Sequence, residues 1–358
     1  MSGTQQAAIA TDIASAPVAA GAAGARMVFI VGSSRSGTTM MSRVLGAHGD
    51  IFRFEELHFF EKLWMPQHPP RKCTHAQAIG LLCQLLRAHH DGLFARGDPL
   101  RHRAEAERIL AGLDGDATPP DLFAGVLGHF TAASGRRIAC EHTPGNAFFV
   151  RDILRLYPNA RIVHMVRDPR AVLASQRHKW RRRFLGAGTI PLREAVRSWL
   201  NYHPWVLSRL WRAAVSGVRE VSAEARVFTV RYETLVSAPE ETLGRLCDWL
   251  GIAFEPAMLE VPVVGSSMRS DVAGRSGMDA SRAEAWREGG LPRYDIAVCE
   301  QVCGVLMDEY GYAPTGARRG LALIPDLIVF PAKMSLALAM NLGRTQNLLA
   351  SLKRRFRG

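Results

Sequence analysis

The sequence predicts an α/β fold, a parallel sheet with helices on both faces. Strand-length apolar runs are the first sign: Met27-Val28-Phe29-Ile30-Val31 and Arg161-Ile162-Val163-His164-Met165-Val166 are too continuously apolar to alternate faces. Such runs suit strands buried on both sides. The second sign is the punctuation after them, since each run stops at a loop that opens a helical pattern, as parallel strands joined by crossover helices require. Size agrees, because 358 residues of which 47% are hydrophobic can bury a substantial core.

The first strand halts at Gly32, and Gly32-Ser33-Ser34-Arg35-Ser36-Gly37 form a loop. Thr38 and Thr39 then begin a helix whose apolar face is Met40, Met41, Val44 and Leu45. A strand, a Gly/Ser loop and a helix N-terminus form an anion cradle, because unpaired backbone N–H groups and the helix dipole point at whatever the loop holds. The spacing has the outline of a nucleotide-binding P-loop, yet Thr38 stands where that motif carries lysine. A Mg-ATP γ-phosphate would lose its main cationic contact there. Arg35 supplies a bidentate cation instead, suited to a terminal phosphate or sulfate.

After a turn at His48-Gly49-Asp50 comes the short strand Ile51-Phe52-Arg53-Phe54, with Glu55-Glu56 at its end. Acids at the carboxyl end of a parallel strand face the ligand side of the sheet. Residues 61 to 135 read as helices broken by Pro66, Pro69-Pro70, Pro99 and Pro119-Pro120, an insertion that covers the active site. His89-His90 and His102 lack a regular spacing with a carboxylate and read as surface histidines, so no metal is expected. Arg137-Ile138-Ala139-Cys140 is the next strand, ending in Glu141-His142-Thr143-Pro144.

The strand at 161–166 is delivered by the turn Tyr157-Pro158-Asn159-Ala160. Beyond it Asp168 fits an N-cap and Pro169 the first helical position, which puts Arg167 at the strand end and Ser175 about two turns into the helix. Both can then converge on one anion. Arg177, Lys179, Arg181, Arg182 and Arg183 around Trp180 extend that basic region, and helical periodicity resumes through Ala195, Trp199, Tyr202 and Val206. Arg226-Val227-Phe228-Thr229-Val230 is the last strand, followed by Arg231-Tyr232-Glu233-Thr234-Leu235, Pro239 and a helix over 240–250.

Arg35-Ser36-Gly37-Thr38-Thr39 after a buried strand resembles the 5′-phosphosulfate loop of sulfotransferases that use 3′-phosphoadenylyl sulfate (PAPS). The branch it resembles contains tyrosylprotein and carbohydrate sulfotransferases. The resemblance implies a sulfotransferase-type fold and transfer of a sulfonate group from PAPS to an acceptor hydroxyl, leaving PAP. The eight-residue interval from Arg167 to Ser175 resembles the family's 3′-phosphate site. Glu56, followed by Leu57-His58-Phe59-Phe60, matches the position of the catalytic base, and His142 stands where this branch commonly carries the lysine of Lys-Thr-Pro. That lysine stabilises charge on the bridging oxygen; a histidine can donate the same hydrogen bond, with a charge that depends on pH near 6.5. The block around Tyr232 resembles the family's strand-to-helix block and makes Tyr232 a cofactor-binding residue. Ser266-Ser267 and Trp286-Arg287 resemble the segment that closes over the nucleotide. A carbohydrate or glycoconjugate acceptor is expected from the resemblance alone.

Two other classes fit less of the chain. A P-loop kinase would need the absent loop lysine. A nucleic-acid-binding protein would explain a net charge of +12 but not a loop arginine with a paired arginine and serine downstream, so nucleic acid is not an expected partner. The six cysteines show no C-x-x-C pair and no zinc spacing, which fits a reducing, cytoplasmic compartment. Residues 1–25 read as a disordered leader, 26–315 as the sulfotransferase domain, and 316–358 as a helical basic tail. The tail holds eight Lys/Arg against one Asp, a net +7, and its apolar stretch at 321–342 is interrupted by Pro325, Asp326, Pro331 and Lys333. A tail both apolar and basic suits a peripheral position on the inner face of an anionic membrane; its leucines can also pack on the domain or on a second subunit of a homo-oligomer.

Overall fold

In a computed structural model of the chain, the described residues are 26–64, 69–92, 97–113, 117–184, 191–262 and 276–317, with 331, 333, 335–337, 339 and 340. The leader at 1–25, Pro66, Ser266-Ser267 and most of the tail lie outside the described residues.

The strands are β1 (Arg26–Gly32), β2 (Ile51–Arg53), β3 (Ile138–Glu141), β4 (Ala160–Val166) and β5 (Val227–Arg231). They form one parallel sheet in the order β2-β3-β1-β4-β5. Arg26 lies opposite Ile138 and Phe29 opposite Glu141, while Ile51 also faces Ile138 and Arg53 faces Cys140. Every β1 residue after Arg26 is buried, which is why its sequence runs apolar without alternation. In β5, at the sheet edge, only Val230 is buried.

By Cα packing the chain divides into two compact units, one of residues 26–31 and 41–163, the other of residues 32–40 and 164 onward. The first contains most of α1 (Thr38–Gly46), then α2 (His75–Asp91), α3 (Arg103–Ala111), α4 (Pro119–Ala133) and α5 (Val150–Leu156). Pro99 and Pro119 lie between helices, as expected, and each also starts the next helical segment; Pro69-Pro70 lie in non-helical chain. Pro99 opens a 3-10 turn capped by the Asp98 carboxylate, which accepts from Leu100 N at 2.9 Å, and Pro119 opens α4 behind a Thr118/Asp121 capping box. A proline at the first helical position gives up an N–H that would have no partner anyway. The core of this unit is aromatic: Phe29, Phe59, Phe60 and Phe123 are each at most 1% exposed, and the Phe59 and Phe123 rings stack at 4.4 Å. Each such burial contributes about 1.5–3 kcal/mol.

The second unit holds α6 (Pro169–Arg177), α7 (Leu192–Leu200), α8 (Pro204–Arg219), α9 (Tyr232–Ser237), α10 (Pro239–Leu250), α11 (Ser281–Glu284) and α12 (Arg293–Glu309). Its core gathers Val166, Val172, Leu173, Trp211, Val215, Leu306 and Met307. The periodicity through Ala195 and Val206 divides between α7 and α8, because His203 before Pro204 is extended (φ −149, ψ 127). A residue preceding proline is driven out of the helical region by the ring. Among the described residues, no helix is long and apolar enough to cross a membrane.

Candidate active site

Each unit carries its own part of the expected machinery. In the second unit, the loop after β1 makes a turn closed by Ser36 N donating to Ser33 O at 3.1 Å, with Arg35 at φ 76. That left-handed conformation costs a non-glycine residue roughly 1–2 kcal/mol. The neighbouring glycines are dictated by space: a Cβ on Gly32 would sit 2.4 Å from Met165 O, and one on Gly37 (φ 96) would sit 2.7 Å from the Tyr232 ring. The strained turn directs the Arg35 side chain toward α6, where its Nε donates to Ser175 Oγ at 2.9 Å.

Arg167 leaves the carboxyl end of β4 and closes the same cluster. Its Nη1 donates to Arg35 O at 3.2 Å and its Nη2 to Arg282 O at 2.5 Å, and its guanidinium lies 4.2 Å over the Tyr232 ring. The structure thus brings Arg35, Arg167, Ser175 and Tyr232 together, with Arg35 linking Arg167 to Ser175. Thr38 is buried at the start of α1 and Thr39 is exposed beside it. Two buried donors in this cluster, Ser36 Oγ and Arg167 Nε, have no hydrogen-bond partner. Leaving such a group unpaired costs about 1–3 kcal/mol, so an anion with several oxygens fits the cluster.

Arg167 is held in place by a network that starts at its sequence neighbour. Asp168 caps α6 as expected, accepting from Arg170 N at 2.8 Å, and its carboxylate also takes Arg170 Nη2 at 2.7 Å. Arg170 is 1% exposed, reaches Glu300 with Nη1 at 2.8 Å and lies 4.3 Å over the Trp286 ring. Glu233 accepts from Asp168 N at 3.0 Å and from Tyr312 OH at 2.8 Å, and Trp211 Nε1 donates to Arg167 O at 3.0 Å. Trp286, read from sequence as part of a nucleotide-closing segment, is a core residue here, with Arg287 half exposed and 4.6 Å over its ring.

In the first unit, Glu56 lies in the loop after β2. Its Oε2 is 3.0 Å from His58 Nε2, and His58 Nδ1 is 2.8 Å from Glu61 Oε2. Carboxylate oxygens only accept, so both ring nitrogens carry protons and His58 is an imidazolium. Burial pulls the His58 pKa down, but the hydrogen bonds from the two carboxylates outweigh it and push it up to about 9. For Glu56 burial works against ionisation, and the His58 contact outweighs it to hold the carboxyl below its usual range.

His142 lies just past the end of β3 with Nδ1 2.9 Å from Phe54 O and 3.0 Å from Ser42 Oγ, one turn along α1 from Thr38. A carbonyl cannot donate, so Nδ1 bears the proton in the tautomer that fits, and Nε2 keeps a lone pair. Burial lowers the His142 pKa against the opposing charges of Glu56 and Glu55, leaving the ring neutral at neutral pH. In that state its Nε2 accepts and does not donate.

Sequence reasoning missed His58 and Glu141. Glu141 is fully buried and accepts from Leu57 N at 3.2 Å, Thr143 N at 3.1 Å, Asn146 Nδ2 at 2.8 Å and Thr143 Oγ1, while burial pushes its pKa up to about 7. It ties the Glu56 loop to the end of β3. His58, at φ 50, donates its own N–H to Thr143 Oγ1 at 3.1 Å. The spacing Glu56-x-His58-x-x-Glu61 was the available signal.

A sequence model described as the sulfotransferase family matches residues 27–256. An "Uncharacterized protein" of Aquifex aeolicus (strain VF5) is 23% identical over 272 residues, 73% of this chain and 30% of that protein. A "Putative protein-tyrosine sulfotransferase" of Caenorhabditis briggsae is 25% identical over 120 residues, 34% of this chain and 39% of that one. The chain therefore spans 30% and 39% of the length of these two curated relatives. Among solved structures, the sulfotransferase domain from the Synechococcus PCC 7002 olefin synthase is similar with a TM-score of 0.49 and 22% identity, covering 80% of this chain and 94% of that one.

Proposed function

The chain belongs to the sulfotransferase family, and from that premise we propose that it transfers a sulfonate group from PAPS to an acceptor hydroxyl, releasing PAP. The observation that carries the proposal is the cluster of Arg35, Arg167 and Ser175, where the buried donors Ser36 Oγ and Arg167 Nε lie without partners. The donor supplies an activated sulfonate: its sulfur–oxygen bond to the phosphate breaks as the acceptor oxygen bonds to sulfur, and the acceptor's proton passes to a base. Positioning and charge stabilisation are then most of what the protein contributes, as in phosphoryl transfer.

In this proposal the amides of the loop at 32–37, Ser36, Gly37, Thr38, Thr39 and the Arg35 guanidinium hold the 5′-phosphosulfate. Arg167 and Ser175 hold the 3′-phosphate, and Tyr232 backs the Arg167 guanidinium. Arg35 serves both anions, since its Nε already reaches Ser175. Glu56 accepts the hydroxyl proton; the His58 imidazolium keeps it ionised while making it a weaker base. A second assignment is favoured by one observation, the lone pair on His142 Nε2, which makes a neutral His142 an alternative proton acceptor.

The acceptor class proposed is a carbohydrate or glycoconjugate hydroxyl. A tyrosine hydroxyl is the rival, in line with the name of the Caenorhabditis briggsae relative. The domain proposed is 26–315, with the basic tail at an anionic membrane surface. Thermal-shift titration with PAP and ADP tests the donor assignment, since the 3′-phosphate is what PAP carries and ADP lacks. PAP should raise the melting temperature at concentrations where ADP does not. Equal shifts with both would reject the 3′-phosphate site, and sulfonate transfer from labelled PAPS to oligosaccharide or tyrosine peptide would then sort the acceptors.

A further inference from the structure

Four helical segments of the first unit carry titratable side chains that sequence spacing alone did not connect. His90 is in the last turn of α2, His102 ends the 3-10 turn at Pro99–His102, Glu105 lies in the first turn of α3 and His129 is near the end of α4. His90 Nε2 is 2.9 Å from Glu105 Oε2, and the ligand atoms of His90, His102 and Glu105 all lie within 4.8 Å of one another. The His90 and His102 ring centroids are 5.2 Å apart. His90 is a surface histidine, as expected from sequence, and His102 is half-buried; both are within hydrogen-bond distance of a carboxylate.

The fourth member points to a ligand. The His129 side chain is only 3% exposed, its Nε2 has no hydrogen-bond partner, and that nitrogen is 3.9 Å from Glu105 Oε1. An imidazole nitrogen buried this deeply without a partner is a cost, and it is directed at the carboxylate that the other two histidines surround. We propose that His90, His102, Glu105 and His129 form a binding site for one divalent transition-metal cation, with Zn²⁺ as the best match. Two imidazole nitrogens and a carboxylate oxygen within 4.8 Å of one another, with a third imidazole nitrogen 3.9 Å from the same carboxylate, suit the tetrahedral preference of Zn²⁺ once the His129 ring closes in on the other three. The proposal does not depend on sulfonate transfer.

Charge in the surroundings is mixed, and each facing group has a definite place. Arg101 donates from Nε to His102 Nε2 at 3.1 Å, and its Nη2 pairs with Asp91. Asp91 Oδ2 is itself 3.1 Å from His102 Nε2. Arg101 is half exposed, so it can release His102 while staying on Asp91. Neutral imidazole and ionised carboxylate are the states that bind metal. On binding, the cation replaces the hydrogen bond between His90 and Glu105, the His90 Nε2 proton moves to Nδ1 or to solvent, and nothing is oxidised or reduced. The consequence is a cross-link between the end of α2, the turn at Pro99–His102, α3 and α4.

Calorimetric titration of the chelator-treated full chain with Zn²⁺ tests the site. One equivalent should bind, and His90→Ala and Glu105→Gln should each weaken it by at least the about 10- to 100-fold that losing even an outer-shell partner costs. Circular dichroism of both variants in chelator reports whether they fold. X-ray absorption of the zinc-loaded parent needs no substitution and should show a nitrogen/oxygen shell with imidazole scattering. Absence of stoichiometric binding, unchanged affinity in both folded variants, or a sulfur shell from one of the free cysteines would each overturn the proposal.

Discussion

His58 sets the electrostatic state of the Glu56 loop. It bridges two carboxylates at 3.0 and 2.8 Å with both ring nitrogens, and it does so at 15% exposure, where solvent screens little. Its pKa is about 9 in the fold against an ordinary 6.5, so the bridge contributes in full below pH 6.5 and is lost as the pH rises through 9. The depressed Glu56 carboxyl runs the other way: its contribution is present above the usual carboxylate range and lost as the pH falls through the lowered value. Urea-unfolding stability of the parent should therefore drop by roughly 2 to 4 kcal/mol between about pH 6.5 and 9, and His58→Gln should flatten that limb. A parent whose stability does not change across this window would show that the bridge is not formed. At this scale the sequence was uneven. Arg35, Arg167 and Ser175 could be read because each sits at a fixed offset from a strand end or a helix start. Glu141 could not, because its tie to the Glu56 loop runs to Leu57, 84 positions away, and only folding unites them.

Among the elements, the junction from β4 to α6 carries the most specific construction. The Asp168 cap, the Pro169 start and the helix itself were legible, since capping chemistry is local. Its anchoring was not: Arg170 is buried between Asp168, Glu300 and Trp286, residues up to 130 positions away, and nothing local in the sequence points to those partners. Pro99 and Pro119 do separate helices as expected, but their second role, opening the next segment, was not read. Proline both ends and begins helices, and only the capping residue before it, Asp98 or Thr118, distinguishes the two. Arg170→Ala should destabilise the protein by about 3–5 kcal/mol, because Asp168 and Glu300 would remain buried without their cation. It should also weaken PAP binding, since Asp168 lies beside Arg167. Denaturant titration decides: a loss below about 1 kcal/mol would put this triad in the class of screened surface pairs.

For the whole molecule the asymmetry of charge is the dominant fact, with +7 of the +12 falling from residue 316 onward. Within the second unit, the described part of that region packs on α7 and the residues after it: Lys333 Nζ lies 4.9 Å over the Trp199 ring and 5.8 Å over the Tyr202 ring, and Ala337 is 5% exposed. Leu336 and Trp199 are each 52% exposed, and Trp199 is the ring over which the Lys333 cation lies. Residues 353–357, Lys353-Arg354-Arg355-Phe356-Arg357, lie outside the described residues, and their charge is available to the sequence argument alone. Near an anionic leaflet each of the four cations contributes about 1 kcal/mol, roughly 4 kcal/mol together, a term that salt screens. The full chain should co-sediment with phosphatidylserine vesicles at low ionic strength and release as salt is added. Replacing Lys353, Arg354, Arg355 and Arg357 with glutamine should abolish co-sedimentation while leaving Lys333 on Trp199 and PAP affinity unchanged. Vesicle binding that survives both salt and the fourfold replacement would have to come from apolar insertion or from the domain itself, and binding absent from the parent would assign the tail to packing on protein.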